Sequence, residues 1–185
     1  MGLFSINSIF GGTEPENEKN LPDDQIIIPE TLLKVSGEKV GPEKIAEKYV
    51  GLYFSASWCG PCRKFTPKLI EFRNKHEEEF EVILVGGDGS AKAQANYMKK
   101  YGMPWLAMEN QSSESKHASK VTGVEFIPFL VIVDQKGNIV TKDGKKDLAK
   151  WGDLPKFPLP SAQACRHRRK QSQESLRHRS RCGLN

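Results

Sequence analysis

Two cysteines, Cys59 and Cys62, stand directly after a short apolar stretch and directly before a helix-like one. That placement constrains the fold more than any other feature of the chain. Val50–Ser55, mostly Val, Leu, Tyr and Phe, has the length and character of a strand buried on both faces. From Cys62 onward, Phe65, Leu69 and Phe72 follow at spacings of three and four, the stripe of a helix that packs on one side. Cys59 is therefore expected where a helix begins, facing backbone N–H groups that favour thiolate over thiol. Such a position lowers a thiol from about 8.5 toward roughly 7, which makes it a nucleophile at cellular pH. Cys62, one turn on, is expected to be the sheltered, resolving thiol. Gly60 and Pro61 hold the sulfurs within bonding distance, and Trp58 offers a flat apolar surface beside the nucleophile.

A Cys-x-x-Cys alone also fits half a zinc site or a structural closure. Zinc takes about four ligands, and the other cysteines, Cys165 and Cys182, lie far off with no second close pair. No histidines stand at ligand spacing, so no metal is expected. The start, Met1 to Gly12, has no basic stretch ahead of its apolar residues, so no export signal is expected. A reducing compartment follows, where a paired thiol is catalytic more often than structural. No run of about 18 apolar residues exists to span a bilayer.

The 185 residues suit one ordinary domain with tails. Residues 1–25 read as a loose leader, 26–160 as an alternating α/β domain, and 161–185 as a basic, disordered tail. The formal charge of +5 is unevenly placed: the tail holds seven of the 28 basic residues and one of the 23 acids. The rest of the chain is thus at −1, and nothing in it suggests a phosphate-binding surface.

Within the domain, Thr31–Val35 is expected as a first strand and Gly41–Tyr49 as a short helix opened by Pro42. Phe80–Val85 is a strand, and Gly86 to Ser90 a turn whose serine caps a helix over Ala91–Tyr101. Pro104–Met108 is extended, and Ser113–Val121 is a helix closed by Gly123. Phe129–Val133 turns back into Ile139–Thr141 as a hairpin, and Asp147–Trp151 begins a last helix. Pro67 should kink the helix that carries Cys62. Alternating strands and helices predict a mixed, mainly parallel central sheet ending in an antiparallel hairpin.

At Trp58-Cys59-Gly60-Pro61-Cys62 the chain resembles the thioredoxin superfamily. The flanks Tyr53 to Ser57 and Arg63-Lys64-Phe65-Thr66-Pro67 look like its nucleoredoxin and tryparedoxin branch. Met103 to Ala107, Phe126-Ile127-Pro128 and Phe157-Pro158 agree with it. The resemblance covers about residues 30–160 and implies a thioredoxin fold, three layers in the order α/β/α. It also implies that Pro128 is a cis-proline packed on the dithiol, with the backbone of Ile127 pairing with a substrate strand. The implied activity is protein-disulfide reduction, in redox homeostasis or signalling, without a bound cofactor. Electrons would come from thioredoxin reductase with NADPH, from glutathione or from trypanothione, and the clients would be disulfide proteins such as peroxiredoxins or signalling proteins. A monomer in the cytoplasm, with the nucleus as a second compartment, fits this picture. Two departures stand out: Gly60-Pro61 replaces this branch's common Pro-Pro, and Tyr53 stands where thioredoxins have a buried aspartate. A tyrosine with a pKa near 10 is a poor base at neutral pH, so a carboxylate or a water must assist Cys62.

A redox-sensitive binding module with little turnover is the alternative. Weaker signals favour plain readings. Trp105 is a core residue or a border of the site, and His117 a surface residue. Lys75–Glu81 is a solvated helix end running into a strand. Gly2 lacks Ser or Thr at position 6 for myristoylation, Cys182 fits a prenylation box poorly, and Arg166–Lys170 is a basic block without stacking aromatics. Nucleic acid and membrane are therefore not expected partners.

Overall fold

The stretch from Tyr49 to Ser55 is the middle of the molecule because its side chains have no polar face to show to water. Six of its seven residues are buried, and two strands pair with it along its length. The computed structural model describes residues 25–151 apart from 44 and 46. In chain order its elements are β1 (Leu32–Leu33), β2 (Lys39–Val40), β3 (Tyr49–Ser55), α1 (Gly60–Lys75), β4 (Phe80–Gly86), α2 (Ala91–Lys100), β5 (Leu106–Ala107), α3 (Ser113–Thr122), β6 (Phe129–Val133), β7 (Ile139–Thr141) and α4 (Gly144–Trp151). The expected leader, the tail with Arg166–Lys170, Gly2, Cys165, Cys182 and Phe157-Pro158 lie outside the described residues.

The strands form one sheet in the order β2-β1-β5-β4-β3-β6-β7. Parallel pairing joins β3 to β4 and β4 to β5, while the other four pairings are antiparallel. The sheet is mixed as expected, but it is not mainly parallel. Only crossovers that carry α1 and α2 create parallel neighbours. The strand β6 comes back beside β3 in the opposite sense, and short hairpins close both edges.

The period of two along the central strands sorts the core into two halves. Tyr53, Val82, Leu84, Leu130 and Ile132 point to one face and meet Leu69 and Phe72 of α1, Met98 of α2 and Leu148 of α4. Val50, Leu52, Phe54, Ile83, Val131 and Val133 point to the other and meet Ala118 of α3. Three layers result, α/β/α. Gly51 in β3 has a packing reason: a Cβ there would come within 2.7 Å of the Phe80 ring.

Several local expectations change. The described residues of Gly41–Lys48 form turns instead of a helix. The amides of Ile45 and Lys48 bond the carbonyls of Pro42 and Ile45 three residues back, and β3 begins before a helix can propagate. β1 is shorter than expected and pairs with β2, which the sequence pattern did not reveal. α4 starts at Gly144, three residues early, because that glycine packs on β6. A Cβ there would lie 2.7 Å from the Leu130 carbonyl oxygen. The caps follow expectation: Ser90 accepts from the Ala93 amide at 3.2 Å, and Gly123 closes α3 with a positive φ of 66°.

Candidate active site

β3 ends at Ser55 and α1 begins at Gly60, so the turn between them is set at the end of a strand buried almost throughout. Cys59 is the residue that caps α1. Its backbone is extended, and its sulfur accepts the Cys62 amide at 3.2 Å, the place a serine or aspartate oxygen usually takes. Gly60 and Pro61 fill the first helical positions, where a proline needs no partner for its missing N–H. The two sulfurs are joined at 2.06 Å, with 5.2 Å between their Cα atoms. Cys59 is 5% exposed and Cys62 is fully buried, the order expected for an attacking and a resolving sulfur.

The turn before β6 reaches the same place. The Ile127–Pro128 peptide is cis, and the Ile127 carbonyl oxygen lies 3.8 Å from the Cys59 sulfur. Beside it stand the two exposed large apolar side chains among the described residues, Trp58 and Phe126, each about two-thirds exposed. They border a groove of about 680 Å³ floored by Phe54 and Val85 and walled by Ser119 and Val124. Trp58, Cys59, Gly60, Pro61, Cys62, Ile127 and Pro128 thus converge, although nearly 70 residues separate the two segments.

Behind Cys62 lies a chain of buried hydroxyls. The buried Tyr53 hydroxyl bonds the Cys62 carbonyl at 3.1 Å and Thr66 Oγ1 at 3.0 Å. Thr66 continues to the Tyr97 hydroxyl at 3.2 Å, and Tyr97 to Ser55 Oγ at 3.0 Å. Burial is the main reason that Tyr53 holds its proton to well above the usual tyrosine range. Tyr53 therefore holds α1 against β3 as a neutral group.

Sequence reasoning did not single out Asp88. It is 2% exposed, and its Oδ1 accepts from the Ser57 amide at 3.0 Å and the Ser57 hydroxyl at 2.6 Å, fixing the backbone just before Trp58. Asn110 secures the same loop by donating to the Asp88 carbonyl at 3.0 Å. The available signal was an acid among glycines at the C-terminal end of an apolar strand, where α/β sites collect. Trp105 proves to be core: it is 2% exposed and meets Tyr53 edge to face at 6.2 Å. His117 is half-buried, with Nε2 3.3 Å from the Gln25 carbonyl oxygen. The Lys75–Glu81 reading is corrected at its two buried polar members, His76 and Glu81. Burial depresses the His76 imidazole pKa. Glu81 is held by the Arg73 guanidinium through Nε at 2.9 Å and Nη2 at 2.5 Å.

Among the described residues, no group of three or more His, Cys, Asp or Glu is placed to hold a metal ion, and no helix is long and apolar enough to cross a membrane.

With this geometry in hand, the likenesses to known proteins are specific. A family model described as thioredoxin-like matches residues 47–139. The tryparedoxin of Trypanosoma brucei brucei is 40% identical over 134 residues, which cover 70% of this chain and 91% of that protein. The probable nucleoredoxin 1 of Arabidopsis thaliana is 38% identical over 124 residues, 65% of this chain and 21% of the relative. A solved tryparedoxin II complexed with glutathionylspermidine aligns with a TM-score of 0.63 at 36% identity, covering 72% of this chain and 94% of that one. The chain spans between a fifth and a third of the length of the nucleoredoxins it matches. With its own Cys59–Cys62 pair closed as in a redox protein, the chain belongs to the thioredoxin-like family, beside its nucleoredoxins and tryparedoxins.

Proposed function

We propose that the protein is a protein-disulfide reductase that works by thiol–disulfide exchange, with Cys59 attacking and Cys62 resolving. The observation that carries this reading is the Cys59 sulfur, bonded to Cys62 and capping α1 beside the cis-Pro128 turn. In the reduced protein the same amide and the helix N-terminus favour a thiolate at Cys59. That thiolate attacks one sulfur of a client disulfide, forming a mixed disulfide and releasing the client's other sulfur as a thiolate. Cys62 gives up its proton and attacks the Cys59 sulfur. The client leaves with both sulfurs reduced, and the intramolecular disulfide is restored. Two electrons from an external reductant then return the pair to dithiol.

Tyr53 keeps its proton, so the proton of Cys62 passes to solvent or to the released client thiolate. The exposed Trp58 and the backbone of Ile127 receive the client chain. A low-molecular-weight thiol is the favoured reductant, because a structural neighbour 36% identical to this chain was solved in complex with glutathionylspermidine. Peroxiredoxins are the corresponding class of client.

The test is reduction of insulin disulfides driven by dithiothreitol. The wild-type protein is expected to turn over, Cys59→Ser to lose all activity, and Cys62→Ser to accumulate mixed disulfides. Wild-type-like turnover by Cys59→Ser would sink the assignment. A single partner held equally well by a double Cys→Ala variant would favour a binding module instead.

A further inference from the structure

The rim of the dithiol is electrically lopsided. The first turn of α1 contains no acid. Arg63, Lys64 and Lys68 are exposed along its first half, and Lys145 of α4 is exposed with its Nζ 5.7 Å from the Phe65 ring centre, beside the same part of the helix. The Arg63 guanidinium folds back over the Cys-Gly-Pro-Cys turn: its Nη2 lies 3.8 Å from where a Cβ on Gly60 would stand. None of these four cations forms an ion pair among the described residues. The acids of α4 and its approach, Asp143 and Asp147, are engaged by Lys146 at 3.4 Å and Lys150 at 3.7 Å. Glu71, farther along α1, forms no ion pair with them, and Glu125 lines the apolar groove together with Phe126 and Lys116.

This concentration does not follow from a basic domain. Residues 1–160 together carry −1. Four cations that form no ion pair among the described residues, three on the helix that Cys59 caps and one beside it, give this side of a nearly neutral body a local positive field. Opposite charge speeds encounter and fixes orientation, whereas like charge across a contact is unfavourable.

Building on the reductase reading above, we propose that the preferred client is an acidic segment: a disulfide flanked by Asp or Glu, with those carboxylates laid toward Arg63, Lys64, Lys68 and Lys145. The segment's apolar side chains fall on the other side, against Trp58 and Phe126. The occupant is a protein or peptide and not another polyanion, because only a disulfide-bearing molecule gains from lying over the Cys59 sulfur.

The experiment uses the full-length protein, reduced beforehand, and three peptides of equal length. Each carries one disulfide, flanked by Glu, by Ser or by Lys. The second-order rate of protein oxidation is followed by tryptophan fluorescence. Summing several exposed charge pairs, the Glu-flanked peptide should react roughly tenfold faster than the Lys-flanked one near 20 mM ionic strength. The gap should narrow to about twofold near 0.5 M, where the screening length falls toward a few ångströms. In a variant carrying Arg63→Glu, Lys64→Glu and Lys68→Glu together, the Glu-flanked peptide should react more slowly than the Lys-flanked one, whatever the overall rate. Equal rates for the Glu and Lys peptides at low salt overturn the proposal, and so does a preference that survives the triple substitution. If the wild type reduces none of the three peptides, the reductase reading itself falls and takes this proposal with it. Reduction of all three at one salt-independent rate leaves the reductase standing and removes only the charge preference.

Discussion

Tyr53→Phe separates the two roles open to the hydroxyl beneath Cys62, a buried tether and a proton carrier. The substitution keeps the ring that packs against Phe65 and Trp105 and removes only the oxygen. Thr66 Oγ1 still bonds the Cys62 carbonyl at 3.0 Å and the Tyr97 hydroxyl at 3.2 Å. The loss near neutral pH is therefore about 1 kcal/mol, the lower end for removing a buried hydrogen-bonding group. The pH dependence is more diagnostic. In the unfolded chain the phenol ionises near pH 10, as tyrosines do. In the folded protein, burial holds it protonated to well above that. Above about pH 10 the unfolded state thus binds fewer protons than the native state, and stability falls as pH rises. The stabilisation from this group is fully present below that pH. At about pH 11 the loss from this one group reaches roughly 1.4 kcal/mol. Tyr53→Phe lacks this loss, so the gap between wild type and variant should close between pH 7 and 11. Contributions common to both proteins cancel from the difference. Urea unfolding at the two pH values, read from midpoints at constant slope, measures it. A gap that stays the same at pH 11 would show that Tyr53 ionises normally in the folded protein. Insulin reduction should keep its pH profile between about 6 and 8; a shift there in Tyr53→Phe would give the phenol the proton-carrying role denied to it here.

Two further outcomes are expected. Arg73→Met leaves the Glu81 carboxylate buried without its bidentate partner, at a cost of about 3 kcal/mol visible as a fall in the thermal midpoint. Pairing it with Glu81→Gln should recover much of the loss, and no recovery would argue against the ion pair as its source. Asp88→Ala releases the backbone before Trp58: about 2 kcal/mol of stability should go, and the attack rate of Cys59 should fall although both cysteines remain. Attack at the wild-type rate would mean that the Ser57 clamp does not position the sulfur.

The parts of this fold that could be read from the chain are those whose cause is local. The central strands β3, β4 and β6 declare themselves as short apolar runs. Ser90 and Gly123 mark helix ends because capping chemistry acts within a few residues. The Cys-Gly-Pro-Cys turn was legible for the same reason, since strand, turn and helix follow one another without a gap. Pro128 was different: no local pattern announces a cis peptide, and only its family context pointed to it. What stayed hidden depends on distant partners. Gly144 looks like a helix breaker until β6 is seen lying against it. Pro42 looks like a helix start until β3 is seen to claim the chain at Tyr49. Asp88 and Ser57 are 31 residues apart and Arg73 and Glu81 belong to different elements, so neither pairing leaves a periodic trace. The hydroxyl chain from Tyr53 to Ser55 likewise exists only once β3, α1 and α2 are assembled.

The bond between Cys59 and Cys62 spans only three positions in the chain. Tethering residues so close together removes little freedom from an unfolded chain, about 2 kcal/mol, against nearly 5 for a loop of about a hundred residues. Opening or closing that bond therefore shifts the stability of the fold far less than a bond across a long loop would.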